Sequence, residues 1–207
     1  MAQFFFVHPD NPQLRLMRRT AEILRAGGVI AYPTDSCYAL GCHLGDKSAV
    51  ERIRKIRQVD RRHHFALVCR DLAEVGQYAS MDNRQFRLLK AATPGSYTFI
   101  LRASREVPKR LQHPSRRTIG VRIPDHRVVR ALLAELGEPV LSSTLLLPGA
   151  DTPLNDTRDI RAALEHAVDL VLDCGSCGIV PTTVVDLTGE SPAILRQGRG
   201  SLHALGL

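Results

Sequence analysis

Tryptophan is absent from this chain, and aromatic residues make up 5% of it, so its core has to be built largely from aliphatic side chains. Nothing approaches the run of about 18 apolar residues that a membrane-spanning helix requires. The first residues also lack the pattern of a secretory leader, because Asp10 stands where an apolar segment would follow basic residues. The cysteines number five, an odd count with no framework spacing, which excludes a disulfide scaffold and predicts reduced thiols in a cytoplasmic setting. Acidic residues are scarce in one region. Residues 84–130 hold twelve Lys or Arg against Glu106 and Asp125, whereas residues 131–207 carry four basic and ten acidic residues. A basic face of this kind suits a polyanion such as a nucleotide or RNA. A solvated charged surface has the same composition, so the imbalance alone names no partner.

What is present is ample apolar material. At 207 residues and 44% hydrophobic, the chain reads as one α/β domain spanning residues 1–207. Strands are predicted at Gln3–Val7, Val29–Tyr32, Phe65–Cys69, Tyr97–Leu101, Thr118–Ile123 and Val140–Thr144, and again near 170–172, 183–185 and 193–195. Apolar residues from Leu14 to Leu24 recur at helical spacing and stop at Gly27-Gly28, a helix C-cap. Further helices are predicted to start at Ser48, with Glu51 completing an S-x-x-E box, at Asp71, at Asp82 and after Pro124. Another runs from about Arg158 to His166. Strands and helices mix without strict alternation, which predicts a single twisted open sheet, parallel and antiparallel in part, flanked by helices.

The stretch Gly27–His43 organises this reading. Pro33 ends an apolar strand abruptly, and Thr34, Asp35, Ser36, Cys37 and Tyr38 follow as a row of polar groups. Ligands in open α/β sheets sit just beyond strand ends, in such loops. Downstream, Gly41-Cys-His-Leu-Gly45-Asp-Lys47-Ser48 has the outline of a phosphate loop, but Asp46 places a negative charge where the anion would lie. Cys174-Gly-Ser-Cys177 is a lone pair of thiols between two strands, read as a turn and neither a zinc nor a redox site, so no metal site is assigned. No nucleophile elbow and no acid–base carboxylate pair occurs. What recurs is a set of cations near strand ends, Lys55, Arg57, Arg122 and Arg196, accompanied by the hydroxyls of Thr34, Ser36, Thr118, Thr144 and Thr182. Such a set binds and orients anions, the chemistry of phosphoryl or nucleotidyl transfer.

These residues fall in a recognisable order. Pro33-Thr34-Asp35-Ser36-Cys37-Tyr38-Ala39-Leu40-Gly41, Lys55-Ile56-Arg57, Pro94-Gly95, Thr118 to Pro124, Thr182 to Leu187 and Ile194-Leu195-Arg196-Gln197-Gly198 resemble, in order and spacing, six blocks of the YrdC family. The resemblance runs from about Ala21 to Arg199. Ala39 in place of a glycine, His63-His64-Phe65, and Thr144-Leu145-Leu146 in place of S-A-N look like the YciO branch. The resemblance implies a YrdC-like fold with a concave basic groove. It also implies a nucleotidyl transfer that makes threonylcarbamoyl-adenylate from ATP, L-threonine and bicarbonate with Mg²⁺, in the service of tRNA modification. By the same resemblance Lys55, Arg57, Thr118 and Arg196 would serve ATP and its phosphates. Arg122 would pair the threonine carboxylate, and Thr34, Ser36, His63, Thr144 and Thr182 would contact threonine and bicarbonate. Leucine at 146, where the family has asparagine, implies weaker nucleotide recognition. An alternative of a different class is a binder of tRNA or double-stranded RNA that keeps the fold without the synthase reaction.

Overall fold

In the computed structural model, which describes residues 1–206, all the described strands join one mixed sheet. In chain order the elements are β1 (Gln3–Phe6), α1 (Leu14–Arg25), β2 (Val29–Tyr32), β3 (Ala39–His43), α2 (Lys47–Arg57), β4 (Ala66–Val68), α3 (Leu72–Tyr78), β5 (Ala79–Ser80), α4 (Asn83–Ala92), β6 (Tyr97–Ala103), β7 (Thr118–Arg122), α5 (Arg127–Leu136), β8 (Val140–Thr144), α6 (Thr157–Leu164), β9 (Leu170–Asp173), β10 (Thr183–Asp186) and β11 (Ala193–Arg196). The spatial order is β1-β9-β2-β3-β8-β4-β7-β6-β10-β11, with β5 on β6. β9 therefore lies between β1 and β2, parallel to both. β8 lies antiparallel to β3 on one side and to β4 on the other. The expected mixed sheet flanked by helices is the fold observed.

Local chemistry sets the ends of these elements. Gly27, at φ +84°, donates to the Leu24 carbonyl at 3.0 Å and Gly28 to the Ile23 carbonyl at 2.8 Å. These bonds close α1 and release the chain directly into β2. β2 is buried along its whole length, as its run Val-Ile-Ala-Tyr requires. The N-cap of α2 is Asp46, whose carboxylate accepts the Ala49 N–H at 2.8 Å. The Ser48 box expected from the sequence does not form, because an anionic cap two residues earlier suits the positive end of the helix. α4 starts at Asp82 as expected, and there Asp82 and Gln85 cap each other's backbone.

One face of the sheet decides where a ligand can go. Val7, Ile30, Tyr32, Val68, Val140, Leu170 and Leu172 form a buried cluster with Met17 and Leu24 of α1 and Val128, Val129, Leu132 and Leu133 of α5. Farther along the same face Ala66 aligns with Ser142 on β8 and with Gly120 on β7, and Gly120 aligns with Ile100 on β6. A side chain at Gly120 would meet the Phe65 carbonyl at 2.9 Å, so the strands can approach here only around glycine. Ala66, Thr98, Ile100, Arg122, Ser142 and Val184 of this stretch border a cavity. The opposite face packs a second cluster that includes Leu40, Ile53, Phe65, Phe99, Val121 and Ile160.

Candidate functional site

The cavity has a volume of about 400 Å³ and is open to solvent on one side. Four guanidinium groups border it, those of Arg57, Arg62, Arg122 and Arg196, together with His63, His64, the hydroxyls of Thr98, Ser142, Ser143, Thr144 and Thr182, and the apolar Leu146, Leu195 and Pro181. No carboxylate is among the bordering residues. The strands supply the hydroxyls through their pleat, while Arg57 arrives from the last turn of α2 and Arg196 from the end of β11.

Each arginine is held by a different device. Arg122, buried at the end of β7, donates through Nη2 to Asp35 Oδ1 at 2.6 Å, and the same nitrogen lies 3.3 Å from Ser36 Oγ and 3.5 Å from Thr34 Oγ1. Asp35 also accepts from the Ser96 hydroxyl at 3.1 Å and the Asp125 N–H at 3.2 Å. Arg57 donates to Ser143 Oγ at 2.9 Å and to the Thr144 carbonyl. Arg196 donates to the Thr182 carbonyl at 3.0 Å and lies 3.3 Å from the Thr182 hydroxyl, which bonds Thr98 at 2.8 Å. Burial lowers the pKa of both Arg57 and Arg196, as expected for cations crowded into a partly dry pocket. Burial, with the charge of Arg57 next, pulls His63 down to about 4, so its ring is neutral at pH 7.

Two guanidinium donors on the cavity wall, Arg57 Nε and Arg122 Nε, and the ring nitrogen His64 Nε2 are buried and have no partner. A buried donor left unpaired costs about 1–3 kcal/mol, and oxygen atoms of a bound anion would relieve that cost.

The structure thus brings Arg57, His63, Arg122, Thr144, Thr182 and Arg196 to one cavity. Thr34 and Ser36 lie beneath it, buried, where they bond each other at 3.1 Å and support Arg122. Lys55 is exposed on α2 and does not border the cavity. Thr118 precedes Arg122 by four residues on β7, roughly 13 Å along the strand. There it borders a second concavity with Arg102, Arg116, Arg117 and Thr188. Its hydroxyl is buried and unpartnered. Asp186 accepts from Arg116 at 3.1 Å and from both the N–H and hydroxyl of Thr188, a structural set of contacts. Cys174 and Cys177 are free thiols in the β9–β10 connection. Burial pushes them up to about 12 and about 11.

Sequence reasoning missed Ser143 and Arg62. The run Ser142-Ser143-Thr144 inside an apolar strand was the available clue, since three consecutive hydroxyls are unusual where a strand is buried.

The family profile Sua5_yciO_yrdC, described as telomere recombination, matches residues 22–198. The chain belongs to this family. As a Sua5/YciO/YrdC protein it is similar to YciO of Escherichia coli, whose crystal structure superposes with a TM-score of 0.96 at 51% identity over 99% of this chain and 100% of that one. It is 35% identical to a protein of Chromobacterium violaceum named threonylcarbamoyl-AMP synthase, over 91% of this chain and 96% of the relative. The fold also matches Sua5 of P. abyssi complexed with L-threonine, at a TM-score of 0.86 and 24% identity, over 94% of this chain and 57% of that one. No described helix is long and apolar enough to cross a membrane.

The resemblance implied Mg²⁺, and the cavity wall itself offers no carboxylate to hold a resident ion. Among the described residues no group of three or more His, Cys, Asp or Glu is placed to hold a metal, and Mg²⁺ requires oxygen ligands in near-octahedral array.

Proposed function

We propose that this protein joins L-threonine, bicarbonate and ATP into threonylcarbamoyl-adenylate with release of water and pyrophosphate, in support of tRNA threonylcarbamoyladenosine formation. The observation that carries this reading is the single cavity in which Arg57, Arg122 and Arg196 converge with unpaired buried donors. In that reading Arg122, fixed by Asp35, offers its free Nε to the threonine carboxylate. Thr144 and Thr182 orient the carbamate formed from the amino group and bicarbonate. Arg57 and Arg196 take the negative charge that develops as a carbamate oxygen displaces pyrophosphate from the α-phosphorus. Mg²⁺ enters with the triphosphate, as part of the substrate, since the cavity wall supplies no carboxylate for it.

The deciding measurement is pyrophosphate release with each substrate omitted in turn. Release is expected only with ATP, threonine and bicarbonate together, and Arg57→Ala is expected to reduce it about 100-fold or more, as loss of a transition-state charge contact does. Equal release without threonine would reject the reading, as would the absence of any thermal shift with ATP and threonine at millimolar concentration.

A second reading has its own observation. Leu146 and the half-exposed Leu195 put an apolar rim on the cavity, while Arg102, Arg116 and Arg117 surround the neighbouring concavity. A protein that binds tRNA or double-stranded RNA on this face, without the synthase step, would show a steep salt dependence insensitive to threonine.

A further inference from the structure

We propose that Ser143 and His63 are a nucleophile–base pair, and that through it the cavity cleaves a carboxylic–phosphoric mixed anhydride by way of an acyl-serine. The two side chains come from positions 80 residues apart, with His63 Nε2 at 3.1 Å from Ser143 Oγ. Arg57 Nη1 donates to the same hydroxyl oxygen at 2.9 Å. Arginine has only donors to offer, so the serine accepts from Arg57 and its own hydrogen remains free for the imidazole. The guanidinium charge stabilises the alkoxide, and the imidazole takes the proton; these are the two requirements for an activated serine. His63 is fixed from below by Phe65, whose ring it meets edge-on at 5.4 Å and 89°. Burial and the cations keep that ring in the neutral form that accepts a proton. The groups that bear on it are Arg57, Arg54 and His64, which oppose its protonation, and Asp60, which favours it, with Arg62 on the same cavity wall.

The chemistry follows from what surrounds the pair. Ser143 Oγ attacks the acyl carbon, the bond from that carbon to the bridging phosphate oxygen breaks, and the phosphate leaves with the electron pair. The serine proton passes to His63 Nε2 and on to the departing phosphate. Water then attacks the acyl ester, giving its proton to His63, and Ser143 recovers a proton as the carboxylic acid leaves. Overall, the anhydride and one water become an acid and a phosphate. Arg196 and Arg62, on the cavity wall, suit the phosphate. That the phosphate belongs to a nucleotide rests on the function proposed above; the nucleophile does not.

The test uses the full chain with acetyl phosphate and, separately, acetyl-adenylate, followed by intact-mass measurement, peptide mapping and phosphate or AMP release. The expected result is one acetyl group on Ser143 and a release rate that falls about 100-fold or more in Ser143→Ala and His63→Gln. Ser143→Cys is expected to accumulate a thioester at the same position, which keeps the test decisive should the alanine variant fail to fold. Release is expected to rise with pH through about 4 and then stay flat across neutrality; a rise centred on an ordinary histidine value would overturn His63 as the base. Absence of acyl adduct in both wild type and Ser143→Cys, with equal release by wild type and Ser143→Ala, would overturn the proposal. The two readings fail separately. Acylated Ser143 without threonine-dependent pyrophosphate release removes the synthase and leaves the acyl-serine, and the converse removes the acyl-serine alone.

Discussion

One sheet face has two regions with opposite character, and two strands run through both. Under α1 and α5, Val140 of β8 and Val68 of β4 are sealed among leucines and valines. Two residues away on those strands, Ser142 and Ala66 border the open cavity. The difference between a core and a site is therefore where the helical cover stops, and the covered region serves as the rigid mount for the uncovered one. In the covered region each side chain satisfies itself by packing. In the open region, groups such as Arg57 Nε and Arg122 Nε are left unsatisfied by the protein and held in place by others.

The comparison is sharpest at Asp35. Replacing it with alanine leaves Arg122 buried without its counter-charge, and the loss of stability is expected to be about 3–5 kcal/mol, read by urea denaturation, together with loss of threonine binding. Leu132→Ala, in the covered region, is expected to cost about 2–5 kcal/mol by opening a void beneath α5. Ligand-induced thermal shifts should survive it, and a lost shift would mean that the two regions are not separable. Leu146→Asn restores a polar group to the apolar rim and is expected to tighten ATP binding by about 1–3 kcal/mol, measured by calorimetry; an unchanged affinity would place the nucleotide elsewhere in the cavity. The smallest effect concerns Thr118. Valine in its place removes a buried hydroxyl that has no partner, so stability without ligand is expected to hold or rise by up to about 1 kcal/mol. A large loss would show that the hydroxyl is engaged.

Legibility in the sequence followed the range of the interaction. The C-cap at Gly27-Gly28, the buried run of β2 and the start of α4 at Asp82 are local, and they stand as the sequence implied. One local expectation yielded to competing local chemistry, Ser48 losing the cap of α2 to Asp46; the Thr34–Tyr38 loop stands as read, but β3, which follows it antiparallel to β2, was not anticipated. The six motif blocks located most of the cavity. Periodicity gave no means of telling that Thr34 and Ser36 support Arg122 from beneath, that Lys55 projects outward, or that Thr118 lies in a separate concavity, because each depends on strand order and pleat. The pair formed by Ser143 and His63 was illegible for the same reason, its partners being joined only through the pairing of β8 with β4. The insertion of β9 between β1 and β2 has no trace in either segment's own sequence.

That insertion carries a consequence for how the chain comes to be folded at all. β1 and β2 are made first and do not pair with each other; β2 closes early against β3, whereas β1 finds its partner only in Leu170–Asp173, which also takes the other edge of β2. During synthesis β1 waits for most of the polypeptide before its hydrogen bonds can close, and closure over so long a loop is slow. The nascent protein thus carries Phe4-Phe5-Phe6 unpaired until late, and the last third of the chain acts as the clasp that completes the sheet.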